Sequence, residues 1–242
     1  MNISVTKTIA LAGHNPYYQA IDAFYSLRPR HSFNYKIHNE LLAQPLAQVF
    51  VSVPKVTSKM RQDSRRLVNK LCKKHGITHS KPYGIFARHR GRVLEHRATA
   101  LIRRLFEPSD LKVQVPTRFH AHGFTFRGRA DCLLNGNTVI EIKCRMYRFM
   151  KAKPFELDQL ALYCVSLQKD GLLIQYFDEQ LHATSLSLSD AEERTHKVLQ
   201  DAEWLFGSIR RGDGFPTSPT RPGVSVRRLS SLPVQGLLRH SS

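Results

Sequence analysis

Three side chains near the middle of the chain have types and spacing that could do metal-assisted phosphate chemistry. They are Asp131 and, ten residues on, Glu141 and Lys143 of the run Val139-Ile140-Glu141-Ile142-Lys143-Cys144. In a strand, residues two apart share a face, so Glu141 and Lys143 project side by side while Ile140, Ile142 and Cys144 point away. Asn135-Gly136-Asn137 is a hairpin signal, and a turn there puts Asp131 on the neighbouring strand. Two carboxylates and an ammonium could then converge. Two protein oxygens with open positions left over suit Mg²⁺ or Mn²⁺ when a substrate supplies phosphate oxygens. Such an ion polarises the phosphate and acidifies a water. Lys143 would orient or help deprotonate that water, with a pKa responsive to both carboxylates. The Glu-x-Lys triplet alone carries little, because chance supplies roughly one in a chain of this length. Its usual meaning is an exposed cross-strand pair. The apolar strand around it and the matched Asp131 give it weight.

Glu95 borders an apolar helical stripe, and a buried carboxylate is costly unless paired or metal-bound. It is either a further ligand or a partner for Arg92 or Arg129. Gln159 and Tyr163 lie one turn apart on a second helix, at the edge of the stripe Leu157, Leu160, Ala161 and Cys164. They either support the site or decorate a boundary. His96 follows Glu95 and either nears the metal or joins the basic face. His120-x-His122 reads as turn decoration rather than a metal pair. The chain has no Walker loop, G-x-S-x-G or H-E-x-x-H, which leaves nucleotide motors, serine hydrolysis and zincin chemistry without support.

These residues need elements to position them. A helix is expected over Ile85 to Phe106, with Leu94, Ala98, Leu101, Ile102 and Leu105 as its core stripe. The period then changes to two. Leu111, Val113 and Val115 alternate, Phe124 and Phe126 alternate, and Val139 to Cys144 forms a third strand. Pro154 opens a helix from Phe155 to Gln168, ended by Asp170-Gly171. Two short strands follow, Leu172 to Phe177 and His182 to Leu188. A last helix starts at a capping box, Ser189-x-x-Glu192, and stops at Gly212. The order is α-β-β-β-α-β with an extra strand and helix, an α/β class with a mixed central sheet flanked by helices. The expected division is an N-terminal extension over 1–84, aromatic then basic, packed on a core over 85–216. A basic Ser/Pro-rich tail over 217–242 is expected to be disordered.

Charge narrows the partner. The 242 residues hold 37 Lys+Arg against 19 Asp+Glu, a net +18. Between Thr57 and Phe106 alone there are fourteen Lys+Arg and two acids, Asp63 and Glu95. A block this one-sided fits a nucleic-acid-facing surface better than a solvated helix face. With 41% hydrophobic residues, wholesale disorder is excluded. No stretch approaches a membrane span, and no membrane partner is expected. Cys72, Cys132, Cys144 and Cys164 form no C-x-x-C pair. They fit a reducing intracellular compartment, cytoplasm or nucleus, rather than secretion.

The constellation resembles the PD-(D/E)XK phosphodiesterase superfamily of nucleases, whose α-β-β-β-α-β core carries an Asp followed by Glu-x-Lys on adjacent strands. Gly91-x-x-x-Glu95-x-x-Ala98 is similar to the first motif of lambda exonuclease and YqaJ-type viral recombinases, which also follow Glu-x-Lys with Cys. Gln159 followed by Leu162-Tyr163 is similar to a helix motif of that branch and of RecB-type nucleases. The chain departs from the pattern at Arg145, where lambda-type enzymes have Pro. It also has Gly128-Arg129-Ala130-Asp131 where Pro-Asp is the literal form. Gly212-x-Gly214-Phe215-Pro216 is similar to RecB-type proteins with an iron–sulfur cluster, but no cysteine follows Cys164. The resemblance implies a restriction-endonuclease-like fold and a Mg²⁺- or Mn²⁺-dependent deoxyribonuclease. By the same resemblance, Glu95, Asp131, Glu141 and the Ile142 carbonyl surround the metal and Lys143 is catalytic. Gln159, Tyr163, Arg88, Arg92 and Arg129 would hold substrate. It implies an exonuclease of recombination, repair or viral genome processing, acting on DNA rather than RNA. A homo-oligomer, or a single-strand annealing or binding protein as partner, goes with it. The alternatives are an endonuclease of the same fold, on DNA or RNA, or a catalytically silent nucleic-acid-binding protein.

Overall fold

The computed structural model describes residues 2–12, 35–76, 84–107 and 109–211. In chain order its elements begin with β1 (Asn2–Ser4), α1 (Val5–Leu11), α2 (Tyr35–Leu42), α3 (Pro45–Ser52), α4 (Ser58–Lys74) and α5 (Gly84–Phe106). β2 (Leu111–Ala121), β3 (Phe124–Leu134), β4 (Thr138–Cys144) and α6 (Pro154–Leu167) follow. The series ends with β5 (Asp170–Phe177), β6 (Gln180–Leu186) and α7 (Leu188–Arg211). The expected α-β-β-β-α-β order is present from α5 onward. No helix among the described residues is long and apolar enough to cross a membrane.

β3 organises the sheet. Along one edge it pairs antiparallel with β2 for its whole length, from Leu111↔Leu134 to Ala121↔Phe124. Its other edge is shared. β1 runs parallel to it at Thr125 to Arg127, and β4 pairs antiparallel at Cys132 to Leu134. β5 then lies parallel to β4, and β6 closes the sheet antiparallel to β5. The β3–β4 turn is the one the sequence indicates. Asn135 and Gly136 have φ of 50° and 68°, and the Asn137 N–H donates to Leu134 O.

Each face of the sheet has its own core. α5 covers one face, where Leu94, Ala98, Leu101 and Ile102 meet Cys132, Ile140, Ile142, Ile174 and Tyr176. α1, α6 and α7 cover the other, burying Phe124, Phe126, Ala130 and Val139. A third, smaller core joins α2, α3 and α4 to Phe86 at the start of α5. α4 begins at a Thr57 cap, whose Oγ1 accepts from the Met60 N–H at 3.2 Å.

Several expectations need correction. Leu105 is 60% exposed and Val113 47%, because α5 overruns the sheet and β2 is an edge strand. α6 ends at Gln168, which takes the left-handed cap conformation, and Asp170-Gly171 opens β5 instead of ending the helix. α7 starts earlier than the Ser189 box. Ser187 caps it by exchanging bonds with Asp190, and Asp170 Oδ1 receives the Leu188 N–H at 2.7 Å. Within the expected 1–84 extension, β1 is a strand of the sheet and Ile3, Val5 and Ile9 belong to its main core. Arg90, counted in the basic block, is 3% exposed. Its guanidinium donates to the carbonyls of Phe50, Val53 and Pro54 at 2.5, 2.7 and 2.9 Å, closing the C-terminal end of α3. The aromatic stretch at 13–34, Gly212 to Pro216 and the 217–242 tail lie outside the described residues.

Candidate active site

The site begins where β3 and β4 part. Their ladder ends at Cys132↔Ile140, and one step further Asp131 Oδ2 accepts the Ile142 N–H at 2.7 Å. A carboxylate thus satisfies a backbone donor that no ladder carbonyl reaches. Glu141 stands beside it on β4, only 3% exposed. As the strand period requires, Glu141 and Lys143 share a face. Lys143 Nζ donates to Glu141 Oε1 at 2.5 Å and to Gln159 Oε1 of α6 at 2.9 Å. Gln159 Nε2 in turn donates to the Tyr163 hydroxyl at 3.1 Å. A continuous line of polar contacts runs from β4 onto α6.

Close approach to β3 fixes the far end of that line. A Cβ at Gly128 would lie 2.5 Å from Tyr163 Cε1, 2.9 Å from Thr117 Oγ1 and 2.9 Å from Val5 Cγ2. Only glycine leaves room for the tyrosine ring there.

The electrostatics are those of acids short of positive charge. Burial pushes Asp131 up to about 6 against the pull of the Ile142 N–H, and the charge of Glu95 adds to the rise. Burial pushes Glu141 up to about 7; Lys143 opposes this and Asp131 adds to it. Burial works to lower Lys143, but the charge and hydrogen bond of Glu141, with Asp131 behind it, hold the ammonium above its usual value. One oxygen of the pair, Glu141 Oε2, is buried without a hydrogen-bond partner. An orphaned carboxylate oxygen beside a second acid is a donor set that a hard divalent cation fits. Among the described residues, no three His, Cys, Asp or Glu side chains form a ready-made metal cluster. The fit is therefore to an ion that keeps several water or substrate oxygens, as Mg²⁺ does.

Glu95 stands apart from this pair. It is raised by burial and by the charge of Glu141, and lowered by His96, Lys143 and Arg92. Its hydrogen-bond partner is neither Arg92 nor Arg129 but Gln114 of β2, whose Nε2 donates to Glu95 Oε1 at 2.7 Å. Gln114 has φ 54° and lies across from Asp131, between the registered pairs Val113↔Cys132 and Val115↔Ala130. Nothing in the sequence marks it, since a glutamine between two valines looks like ordinary strand alternation. Arg88, Arg92 and Arg129 are all exposed, as is His96. His122 lies in the β2–β3 turn with φ 50°, 3.6 Å from Glu203, whereas His120 is a residue of β2.

A second polar cluster was not anticipated. Arg145 makes a two-pronged pair with Glu156 at 2.7 and 2.9 Å, and its Nε donates to Gln175 at 2.6 Å. Gln175 also accepts from the Met150 N–H and donates to the Met150 carbonyl. Glu156 additionally accepts the Lys153 N–H at the start of α6. All three side chains are buried. They pin the 145–153 connection between β4 and α6, the stretch that sets Lys143 against Gln159.

No protein-family model and no curated protein matches the chain. Solved structures do. A Eubacterium rectale protein assigned as an exonuclease is 12% identical, with a TM-score of 0.51 over 95% of this chain and 93% of that one. An alkaline exonuclease from Laribacter hongkongensis is 17% identical, with a TM-score of 0.38 over 74% of this chain and 97% of that one. The fold is the mixed α/β, restriction-endonuclease-like one.

Proposed function

We propose that the protein is a metal-dependent nuclease that hydrolyses DNA from its ends, in recombination, repair or viral genome processing. The observation that carries this reading is the line Asp131, Glu141, Lys143, Gln159, with two raised carboxylates and one orphaned oxygen at its head. Asp131 and Glu141, with Glu95 and the Ile142 carbonyl, would hold Mg²⁺ or Mn²⁺. Such an ion, when bound, polarises a phosphate and acidifies a water. Lys143 is held by Glu141 and Gln159 so that one of its three N–H bonds remains to orient a water or meet developing negative charge. Gln159 and Tyr163 fix the direction of the ammonium. Arg88, Arg92 and Arg129 would contact phosphates without reading sequence. DNA over RNA, and ends over interior bonds, rest on the family resemblance and on the exonuclease assignment of the Eubacterium rectale protein that shares the fold.

The test is cleavage of end-labelled linear and closed circular DNA with Mg²⁺, Mn²⁺ or EDTA, for wild type and Lys143→Ala. The expected result is metal-dependent loss of linear DNA, intact circles, and a variant that binds but cuts at least about a hundredfold more slowly. Metal-dependent cutting of circles would replace the exonuclease with an endonuclease. Tight binding of DNA and RNA with no cutting of either would leave a silent binding protein.

A further inference from the structure

β2 and β3 form a ribbon whose two faces differ in kind. One face carries Thr117, Phe119, Phe124, Phe126 and Ala130 into the core below α6 and α7. On the other, His120 stands opposite Thr125, Arg118 opposite Arg127, and Pro116 opposite Arg129. The Thr125 hydroxyl and the His120 ring, 3.1 Å apart, confirm that these pairs lie side by side. Arg118, Arg127 and Arg129 are all exposed, and none of their side chains has an ion pair or hydrogen bond among the described residues.

Nothing among the described contacts gives this arrangement a part in holding the fold. Like charges directly opposite on neighbouring strands repel, typically by a few tenths of a kcal/mol or more, and among the described residues no carboxylate pairs with them. The face bears no large apolar side chain, which argues against a protein or lipid partner. Its arginines are spread along two strands rather than gathered at one point, which suits a polymer better than a small anion. Guanidinium groups grip phosphate oxygens in pairs. Along β3, Arg127, Arg129 and Asp131 follow at two-residue steps of about 7 Å, on the scale of successive phosphates in a nucleic-acid strand.

We propose that this ribbon face is a phosphate track: Arg118 and Arg127, with Arg129, hold the backbone of a DNA duplex and lead it to Asp131. The proposal rests on the nuclease reading for what stands at the end of the track, but the binding itself is separable from cleavage.

The experiment is fluorescence anisotropy of a labelled blunt duplex with full-length, metal-free protein in EDTA, across a salt series. Arg118→Gln/Arg127→Gln is compared with wild type and with Lys197→Gln, a charge removed from α7 behind the sheet. Each lost phosphate contact lowers the slope of log affinity against log salt by about 0.9. The expected result is a slope shallower by about 1.8 in the double variant, a binding loss of at least tenfold at low salt, and little change for Lys197→Gln. Its melting temperature should equal or exceed that of wild type, because repulsion is relieved. An unchanged slope, an equal change from Lys197→Gln, a wild type that does not bind the duplex, or a lowered melting temperature would each overturn the track. Failure of the nuclease reading looks different: no cleavage in any metal, with the slope still reduced by the two arginines.

Discussion

Gln114 donates its amide to the Glu95 carboxylate at 2.7 Å, from a backbone held at φ 54°. The left-handed region costs a non-glycine residue on the order of 1 kcal/mol, so the surrounding strand keeps this residue in a conformation it would not choose. Two variants separate the bond from the strain. Gln114→Ala loses the bond and keeps the strain, whereas Gln114→Gly loses both. Both should weaken Mn²⁺ binding by about tenfold, in calorimetry, if Glu95 helps hold the ion. The glycine variant should be the more stable of the two by about 1 kcal/mol in urea melts. Equal stability would mean the strand bears no strain there.

The acid pair predicts a pH dependence of stability in the metal-free protein. Asp131 at about 6 and Glu141 at about 7 both lie above the ordinary carboxylate range. Groups raised by folding contribute stability that is whole below that range and disappears as pH climbs through 6 and 7. Wild type in EDTA should therefore lose melting temperature between pH 5 and pH 8, with roughly 4 kcal/mol at stake. Glu141→Gln should flatten that slope and melt above wild type at pH 8. Mg²⁺ or Mn²⁺ should raise the wild-type melt and leave the variant where it is. Parallel melting curves for both proteins across pH would rule out the raised acids.

Gly128 lies under the ring of Tyr163, and a methyl group there would sit 2.5 Å from the ring edge. Gly128→Ala must push Tyr163 aside, and Gln159 and Lys143 with it, at about 1 to 3 kcal/mol of stability. Cleavage should drop tenfold or more. Tyr163→Phe keeps the ring and loses the hydroxyl with its contacts to Gln159 Nε2 and the Arg129 backbone N–H, so its stability should change by about 1 to 2 kcal/mol. Should Gly128→Ala cut DNA at the wild-type rate, the polar line would not depend on the ring's position.

Arg145 and Glu156 form a buried pair, and breaking it should be worse than removing it. Arg145→Met leaves the Glu156 carboxylate buried and alone, a loss of about 3 to 5 kcal/mol. Arg145→Met/Glu156→Met should recover most of that in a thermal melt. The pair also predicts acid sensitivity opposite in sign to that of the Asp131–Glu141 site. Glu156 is held below its usual range: burial raises it, but the Arg145 bonds and the Lys153 N–H outweigh burial. Its contribution is complete above the ordinary carboxylate range and lost as pH falls through the depressed value. A double variant no more stable than the single one would show that the charges themselves are not what matters.

The legible parts of the fold and the candidate site are those governed by local period. Glu141 and Lys143 share a face because strand residues alternate, and Asp131 arrives beside them because Asn135-Gly136 turns the chain. Leu94, Ala98 and Ile102 follow from helical spacing. The illegible parts depend on contacts between distant segments. Gln114 meets Glu95, and Arg145 meets Gln175, without any local signal in either segment. Arg90 looks like one more charge in a basic run until α3 presents its carbonyls to it. The start of α7 could have followed either of two boxes, Ser187-x-x-Asp190 or Ser189-x-x-Glu192. The choice falls to Asp170, eighteen residues away, which takes the Leu188 N–H. β1, at three residues, is too short to show a period at all.

That short strand also sets the order of assembly during synthesis. Ile3 pairs with Phe126, so during synthesis β1 waits for about 120 further residues before its partner strand is made. Until then, Ile3, Val5 and Ile9 have no sheet to cover. The sheet closes on this edge only after the Arg127–Asp131 stretch has emerged, which ties completion of the core to the arrival of the residues proposed to do the chemistry.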